Sequence, residues 1–426
     1  IHMDAAYARA QEAKGVVGHS LWATGLISSL LANVLPGPGT VYRNQDAEFH
    51  RQVQLGDTLT AKVKVVEKRP DSLVELACSV VNQAGEPVMT GRAVVLAPTE
   101  KQRIEVAELA EVSVRHHDSF AALFDKVRAL EPIPTAVVHP VDQVSLEGAM
   151  EAAEATFIAP TLVGPEQRIR AVAEEHGIDI AGADIVDVEH SHAAAAHAVE
   201  LIRAGTAEIL MKGSLHTDEV LGAVLNRATG IRTERRISHI FVMDVPTYPK
   251  LLLVSDAAVN IAPDLDAKRD ICQNAIDLAR TVGVERPKVA ILSAVETVRP
   301  KIQSTLDAAA LCKMADRGQI RDGLLDGPLA MDNAINLEAA RIKKIDSEVA
   351  GVADVLIAPD LEAGNILAKQ LIFLANAEAA GIVLGARVPI LLTSHADSVR
   401  TRRASAATAV LHAHAVRQGL HDKPLH

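Results

Sequence analysis

The sharpest chemical feature of the chain is a serine at the end of an apolar run. Residues 388–392 read as a strand that leads into Thr393, Ser394, His395, Ala396, Asp397 and Ser398. A hydroxyl held on rigid backbone can give or accept one hydrogen bond to a reacting group without being the nucleophile. The glycine-x-serine-x-glycine spacing of a nucleophile elbow is absent. Pairing His395 with Ser394 as acid and base conflicts with geometry, because neighbours in extended backbone point apart. Ser398 reads as the cap of a helix carrying Arg400, Arg402 and Arg403. Residues 400 and 402 cannot face the same way on a helix, so one or two of these cations reach a cleft and the rest meet water.

Other strand ends collect polar groups in the same manner. Lys212, Gly213, His216, Thr217 and Asp218 follow an apolar run and open a helix. There a cation, a glycine permitting close approach and a cap at Thr217 or Asp218 suit an anion, or make a plain cap with a surface lysine. Asp326 and Asp332 flank a rigid Gly327-Pro328 turn, where they serve either a site or turn and capping duty. Asn365 opens a helix after Ala358-Pro359-Asp360 and either binds a ligand or caps that helix. The GxxxxGK[ST] phosphate loop and a convincing GxGxxG after a strand are both missing, which argues against nucleotide hydrolysis and the usual dinucleotide fold.

These residues need a scaffold, and the periodicity supplies one. From about residue 120 short apolar runs alternate with helical stretches of ten to twenty residues. That is the pattern of an α/β protein with a mostly parallel sheet covered by helices. Strands are expected at 136–139, 156–163, 207–211, 240–244, 251–255, 288–293, 355–359 and 389–394, and helices at 166–176, 193–204, 267–282, 301–315, 365–380 and 398–416. About 300 residues approach the size at which one core stops growing, so two lobes with a cleft between them are expected rather than one large sheet. Residues 1–98 read differently, as one apolar helix with Leu21, Trp22, Leu26, Ile27, Leu30 and Leu31, wrapped by antiparallel strands. Residues 99–118 read as a linker, with His116-His117 as a solvated junction.

Composition narrows the function classes. The 426 residues carry 43 basic against 54 acidic side chains, a net charge of -11, and no dense basic block. Nucleic acid is therefore a poor partner. The apolar run 21–34 is shorter than a bilayer span and is interrupted by Thr24, Ser28, Ser29 and Asn33, so no membrane partner and a cytoplasmic location are expected. Cys78, Cys272 and Cys312 are too few and too scattered for a disulfide framework or a structural zinc site.

Taken together in order, the stretches 159–164, Met211-Lys212-Gly213 with His216-Thr217, Asp326-Gly327-Pro328, 354–365 and Leu392-Thr393-Ser394 with Ala396-Asp397-Ser398 resemble the phosphate acetyltransferase and phosphate butyryltransferase family. The resemblance covers about 300 residues, 119–426. It implies reversible transfer of a short acyl group between coenzyme A and phosphate, in a two-lobed fold similar to the isocitrate and isopropylmalate dehydrogenases. It also implies a homo-oligomer, with coenzyme A as a substrate and no tightly bound cofactor or metal. Ser394 matches the family serine placed at the coenzyme A thiol or the acyl carbonyl. His395 stands where the family has arginine, and Thr401 where the acetyltransferase branch has an aspartate. On this resemblance the catalytic set is Ser394, His395 and Lys212. Gly213, His216, Asp326, Asp332, Asn365, Arg400 and Arg402 form the binding set for acyl-CoA and phosphate or acyl phosphate.

The N-terminal residues resemble the MaoC-like R-specific enoyl-CoA hydratases, a hot-dog fold of α+β type. His2-Met3-Asp4, Val17-Gly18-His19-Ser20-Leu21-Trp22, Leu35-Pro36-Gly37-Pro38-Gly39 and 53–57 stand in the family order. His2 matches the family histidine. The partner aspartate, five residues earlier, would precede Ile1, and a carboxylate beside an imidazole is what activates water for addition to an enoyl thioester. Ser20 replaces a usual glycine. The alternatives to a phosphate acyltransferase are thus a bifunctional protein that mainly hydrates enoyl-CoA and a non-catalytic CoA-binding scaffold.

Overall fold

A computed structural model describes residues 17–54, 56–99, 118–392 and 398–420. The chain divides into two units, Ile1–Val114 and Arg115–His426.

In the first unit the helix Leu21–Asn33 buries Ala23, Ile27 and Leu31, which recur every fourth residue on one face. They pack on Leu76, Val80, Met89 and Val95 of a four-stranded antiparallel sheet. Its strands are β1 (Val41–Phe49), β2 (Thr60–Lys68), β3 (Leu73–Val81) and β4 (Pro87–Leu96), in the order β1-β4-β3-β2. Asn82 Oδ1 accepts from the amides of Ala84 and Glu86 at 3.0 Å and closes the expected turn between β3 and β4. The expected helix on an antiparallel sheet is present. The helix lies on one face, which leaves Leu21 60% and Trp22 43% exposed.

The second unit holds β5 (Ile133–Val138), β6 (Ile158–Gly164), β7 (Asp184–Asp187), β8 (Ile209–Lys212), β9 (Ser238–Asp244), β10 (Leu252–Ser255), β11 (Lys288–Leu292), β12 (Leu324–Leu329), β13 (Val355–Ile357), β14 (Glu378–Leu384) and β15 (Ile390–Leu391). They form one ladder, β12-β11-β13-β10-β9-β14-β15-β8-β5-β6-β7, in which only the pairs β10·β9, β9·β14 and β14·β15 are antiparallel. This continuous sheet corrects the expectation of two lobes in place of one large sheet.

The side chains show how far the lobes are real. Alternation sends Ile240, Val242, Ala380, Ile382, Ile209 and Met211 to one face, where a single cluster lies with side chains of the helices Leu265–Val282 and Val399–Arg417. On the other face the core is split. Ala136, Val138, Leu210, Val383 and Ile390 form one cluster, and Met243, Val254, Ala290, Leu356 and Ala379 form another. The division between lobes is therefore one-sided, and it falls on β9 and β14.

Local chemistry sets the element ends. Asp264 accepts from Ala267 N at 2.8 Å to start the helix Leu265–Val282, and Gly283 at φ 113° stops it. Two expectations fail here. The helix expected to reach residue 380 ends at Leu374, Asn376 turns to φ 53°, and the following apolar run becomes the central strand β14. An alanine-rich run of that length suits a helix or a strand buried on both faces equally well. Asp326-Gly327-Pro328 is not a turn but lies within β12. β12 is the edge strand, where a residue lacking an N–H is tolerated. No helix among the described residues is long and apolar enough to cross a membrane.

Candidate active site

β15, β8, β5 and β6 are parallel neighbours, so their carboxyl ends share one edge of the sheet. In open α/β sheets this edge is where ligand groups gather. Leu391 pairs with Met211 and Val138 with Lys212. The chain that continues into Thr393 and Ser394 therefore leaves β15 next to Lys212. Ser394 and His395 themselves lie outside the described residues, as does His2.

Lys212 closes β8 and is only 8% exposed. Leu210, two residues before it, belongs to the cluster on the split face, so alternation puts the Lys212 side chain on that face as well. Its Nζ donates to Gly213 O at 3.3 Å. Burial pulls the ammonium below the usual lysine range, and the Asp142 carboxylate opposes that shift. A desolvated cation at a strand end is suited to a phosphate, since its field is not spent on water. Gly213 is required sterically: a Cβ there would lie 2.4 Å from Val138 O and 2.8 Å from His139 O. Its amide donates to Val138 O at 2.9 Å and that of Ser214 to His139 O at 2.9 Å, which locks the loop onto β5.

Sequence reasoning passed over His139 and Asp142 at this edge. His139 is 7% exposed with φ 53°, and its Nδ1 lies 3.1 Å from Ser214 O. Asp142 caps the helix Gln143–Glu154 by accepting from Ser145 N at 2.8 Å. The signal was available, since both follow an apolar strand as Lys212 does.

The remaining candidates are placed otherwise. His216, not Thr217 or Asp218, is the cap residue of the helix Thr217–Val224; it is exposed, and its amide donates to Glu219 Oε1 at 3.3 Å. Asp218 and Glu219 in the first turn oppose an anion at that helix start. Arg400 is taken up by Asp118 and Glu378, and Arg402, 8% exposed, by Glu151 at 3.4 Å. Arg402 also fills the space over Gly148, where a Cβ would meet its Cδ at 2.9 Å. The guanidinium carbons of Arg400 and Arg403 stand 5.9 and 5.8 Å from the Phe124 ring centroid. Arg400 and Arg402 are thus ion-paired on a helix that packs into the unsplit core.

Asp326, Asp332 and Asn365 belong to the other half of the sheet. Asp326 Oδ1 accepts from Gly327 N at 2.8 Å, and Asp332 is exposed on the helix Met331–Ile335. Asn365 does not cap its helix: Asp360 does, accepting from Ala363 N at 2.9 Å, while Asn365 Nδ2 donates to Ala257 O at 3.0 Å. All three cysteines are free, and burial pushes the Cys78 thiol up to about 11 and that of Cys312 to about 12, which makes them poor nucleophiles at neutral pH. Among the described residues no group of three or more His, Cys, Asp or Glu is arranged to hold a metal ion.

Comparison with known proteins supplies the family. The phosphate acetyl/butaryl transferase model matches residues 189–410, and a MaoC-like domain model matches residues 1–80. The phosphate acetyltransferase of Rhizobium meliloti is 64% identical over 291 residues, which are 68% of this chain and 92% of that protein. The phosphate butyryltransferase of Clostridium acetobutylicum is 40% identical over 293 residues, 69% of this chain and 97% of its own. A branched-chain phosphotransacylase from Enterococcus faecalis has a similar structure, with TM-score 0.59 and 28% identity over 66% of this chain and 99% of its own. The chain belongs to the phosphate acetyl/butyryltransferase family and carries a MaoC-like domain at its N-terminal end.

Proposed function

We propose that the protein transfers a short acyl group reversibly between coenzyme A and phosphate. The observation that carries the reading is the buried Lys212 on the split face of the sheet, beside the strand that leads into Ser394. In the thioester-forming direction the coenzyme A thiolate attacks the acyl carbonyl. The new C–S bond forms as the C–O bond to phosphate breaks, and phosphate leaves with the electron pair. Lys212 offsets the charge on the phosphate oxygens, and the Ser394 hydroxyl orients the sulfur or the carbonyl. No covalent enzyme intermediate is needed.

Thr401, which stands where the acetyltransferase branch has an aspartate, is engaged in capping. Its amide donates to Ser398 Oγ at 3.1 Å, and Ser398 Oγ lies 3.1 Å from its hydroxyl. The thiol proton therefore leaves without a carboxylate at that position. A homo-oligomer in the cytoplasm is part of the same reading. Ile366, Phe373 and Leu374, exposed by 57, 77 and 81% on one helix, support self-association. Enoyl-CoA hydration by the N-terminal domain is the second reading, supported by the MaoC-like match over residues 1–80.

The test is thioester formation from coenzyme A with acetyl and butyryl phosphate, followed by absorbance. Turnover with at least one is expected, and turnover with neither overturns the reading.

A further inference from the structure

The middle of the sheet is closed to water except at one cross-strand pair. Every residue of β9 is buried apart from Phe241, and every residue of β14 apart from Gly381 and the terminal Glu378. Phe241 and Gly381 face each other across the two strands. A Cβ on Gly381 would stand 3.6 Å from Phe241 Cε1 and 3.0 Å from His239 Nε2, which puts these residues on one face. It is the split face. Val383 belongs to the cluster on one side of the pair, and Met243 and Ala379 to the cluster on the other. Phe241 and Gly381 are thus the half-buried floor where the two clusters part, with the Phe241 ring packed against the Met243 cluster.

The register ties this floor to the candidate site. Ile390 pairs with both Val383 and Leu210. Continuing that register by two residues sets Leu392 between Gly381 and Lys212, while Phe241 pairs with Gly381 on one side and Val254 on the other. Lys212, Leu392, Gly381, Phe241 and Val254 therefore form one row across one face. Neighbouring strands are about 4.8 Å apart, so Gly381 lies roughly 10 Å from Lys212 in this row. The row begins with a cation and continues as apolar surface.

We propose that Leu392, Gly381 and Phe241 form the pocket for the acyl chain, with the phosphate held at Lys212, and that Phe241 and Gly381 set the chain length accepted. This rests on the acyltransferase reading and names the part of its site that discriminates substrates. A side chain at 381 would press on the His239 ring, which stacks edge-on against Phe241 at 4.4 Å, so the glycine lets the Phe241 ring keep its place on the floor. One methylene in an apolar pocket changes specificity by about tenfold or more.

The test measures kcat/KM for acetyl, propionyl and butyryl phosphate in the full chain and three variants. Phe241→Ala is expected to raise the butyryl-to-acetyl ratio by at least about tenfold, and Phe241→Leu to raise it less. Gly381→Ala, which adds a methyl to the floor, is expected to lower the ratio by about tenfold. A ratio does not respond to the amount of folded protein, and Phe241→Leu carries the test if the alanine variant does not fold. Ratios within threefold of wild type in all folded variants overturn the pocket while leaving the transferase intact. A uniform loss with all three acyl phosphates and a raised KM for coenzyme A also overturns it, assigning the floor to the pantetheine arm. Wild-type protein inactive with every acyl phosphate overturns the transferase reading itself, and the pocket with it.

Discussion

Replacing Lys212 with methionine isolates the charge at the candidate site, because methionine keeps an unbranched, apolar chain in a space that is only 8% exposed. A unit charge about 4 Å from a phosphate oxygen interacts by about 4 kcal/mol at an effective dielectric of about 20. Part of that is already offset by the cost of holding the ammonium out of water, the cost that also depresses its proton affinity. A net loss of about 2.7 kcal/mol in transition-state stabilisation corresponds to about 100-fold in kcat/KM for acyl phosphate.

Stability carries its own pH signature. The folded chain gives up the Lys212 proton at a lower pH than the unfolded chain, so the unfolded state binds more protons as pH approaches 10.5 from below. The wild type therefore gains stability as pH rises through that window, and Lys212→Met, which has no proton to lose there, should lack that slope. The assay is steady-state thioester formation against acyl phosphate concentration, paired with urea unfolding. A variant within threefold of wild-type kcat/KM, or one whose activity loss is matched by loss of folded protein, refutes the reasoning.

Four further outcomes follow from particular contacts. Ser394→Ala should lower turnover by at least about tenfold, or 1.4 kcal/mol in the barrier, and unchanged thioester formation removes the role assigned to that hydroxyl. Gly213→Ala should destabilise the chain by about 2–4 kcal/mol in urea unfolding, because the new methyl would lie 2.4 Å from Val138 O; an unchanged midpoint denies that the loop is locked to β5. Burial holds the His239 imidazole down at about 4 against 6.5 when unfolded, so stability should fall as pH drops from 6.5 toward 4. His239→Gln should flatten that slope in a pH series of thermal midpoints, and an identical slope excludes His239 as its source. The opposite shifts in acyl preference of Phe241→Ala and Gly381→Ala complete the set.

The parallel α/β class, most strand positions and the polar strand end at Lys212 were legible in the chain. Apolar runs between turn residues record burial directly, and polar residues just after such runs record strand ends. β14 was not legible, because Ala-Glu-Ala-Ala-Gly satisfies a helix as well as a doubly buried strand until its neighbours β9 and β15 supply the hydrogen bonds. The arginines read as a source of cleft charge, yet Asp118, Glu151 and Glu378 claim Arg400 and Arg402 from distant positions that no local pattern connects. The pairing of Gly381 with Phe241 was likewise invisible, since they are 140 residues apart and meet only through strand register. Which residue types stand at each strand end is a property of the chain. Which strands lie side by side, and therefore which of those residues share a face, depends on long-range pairing and was decided only by the tertiary structure.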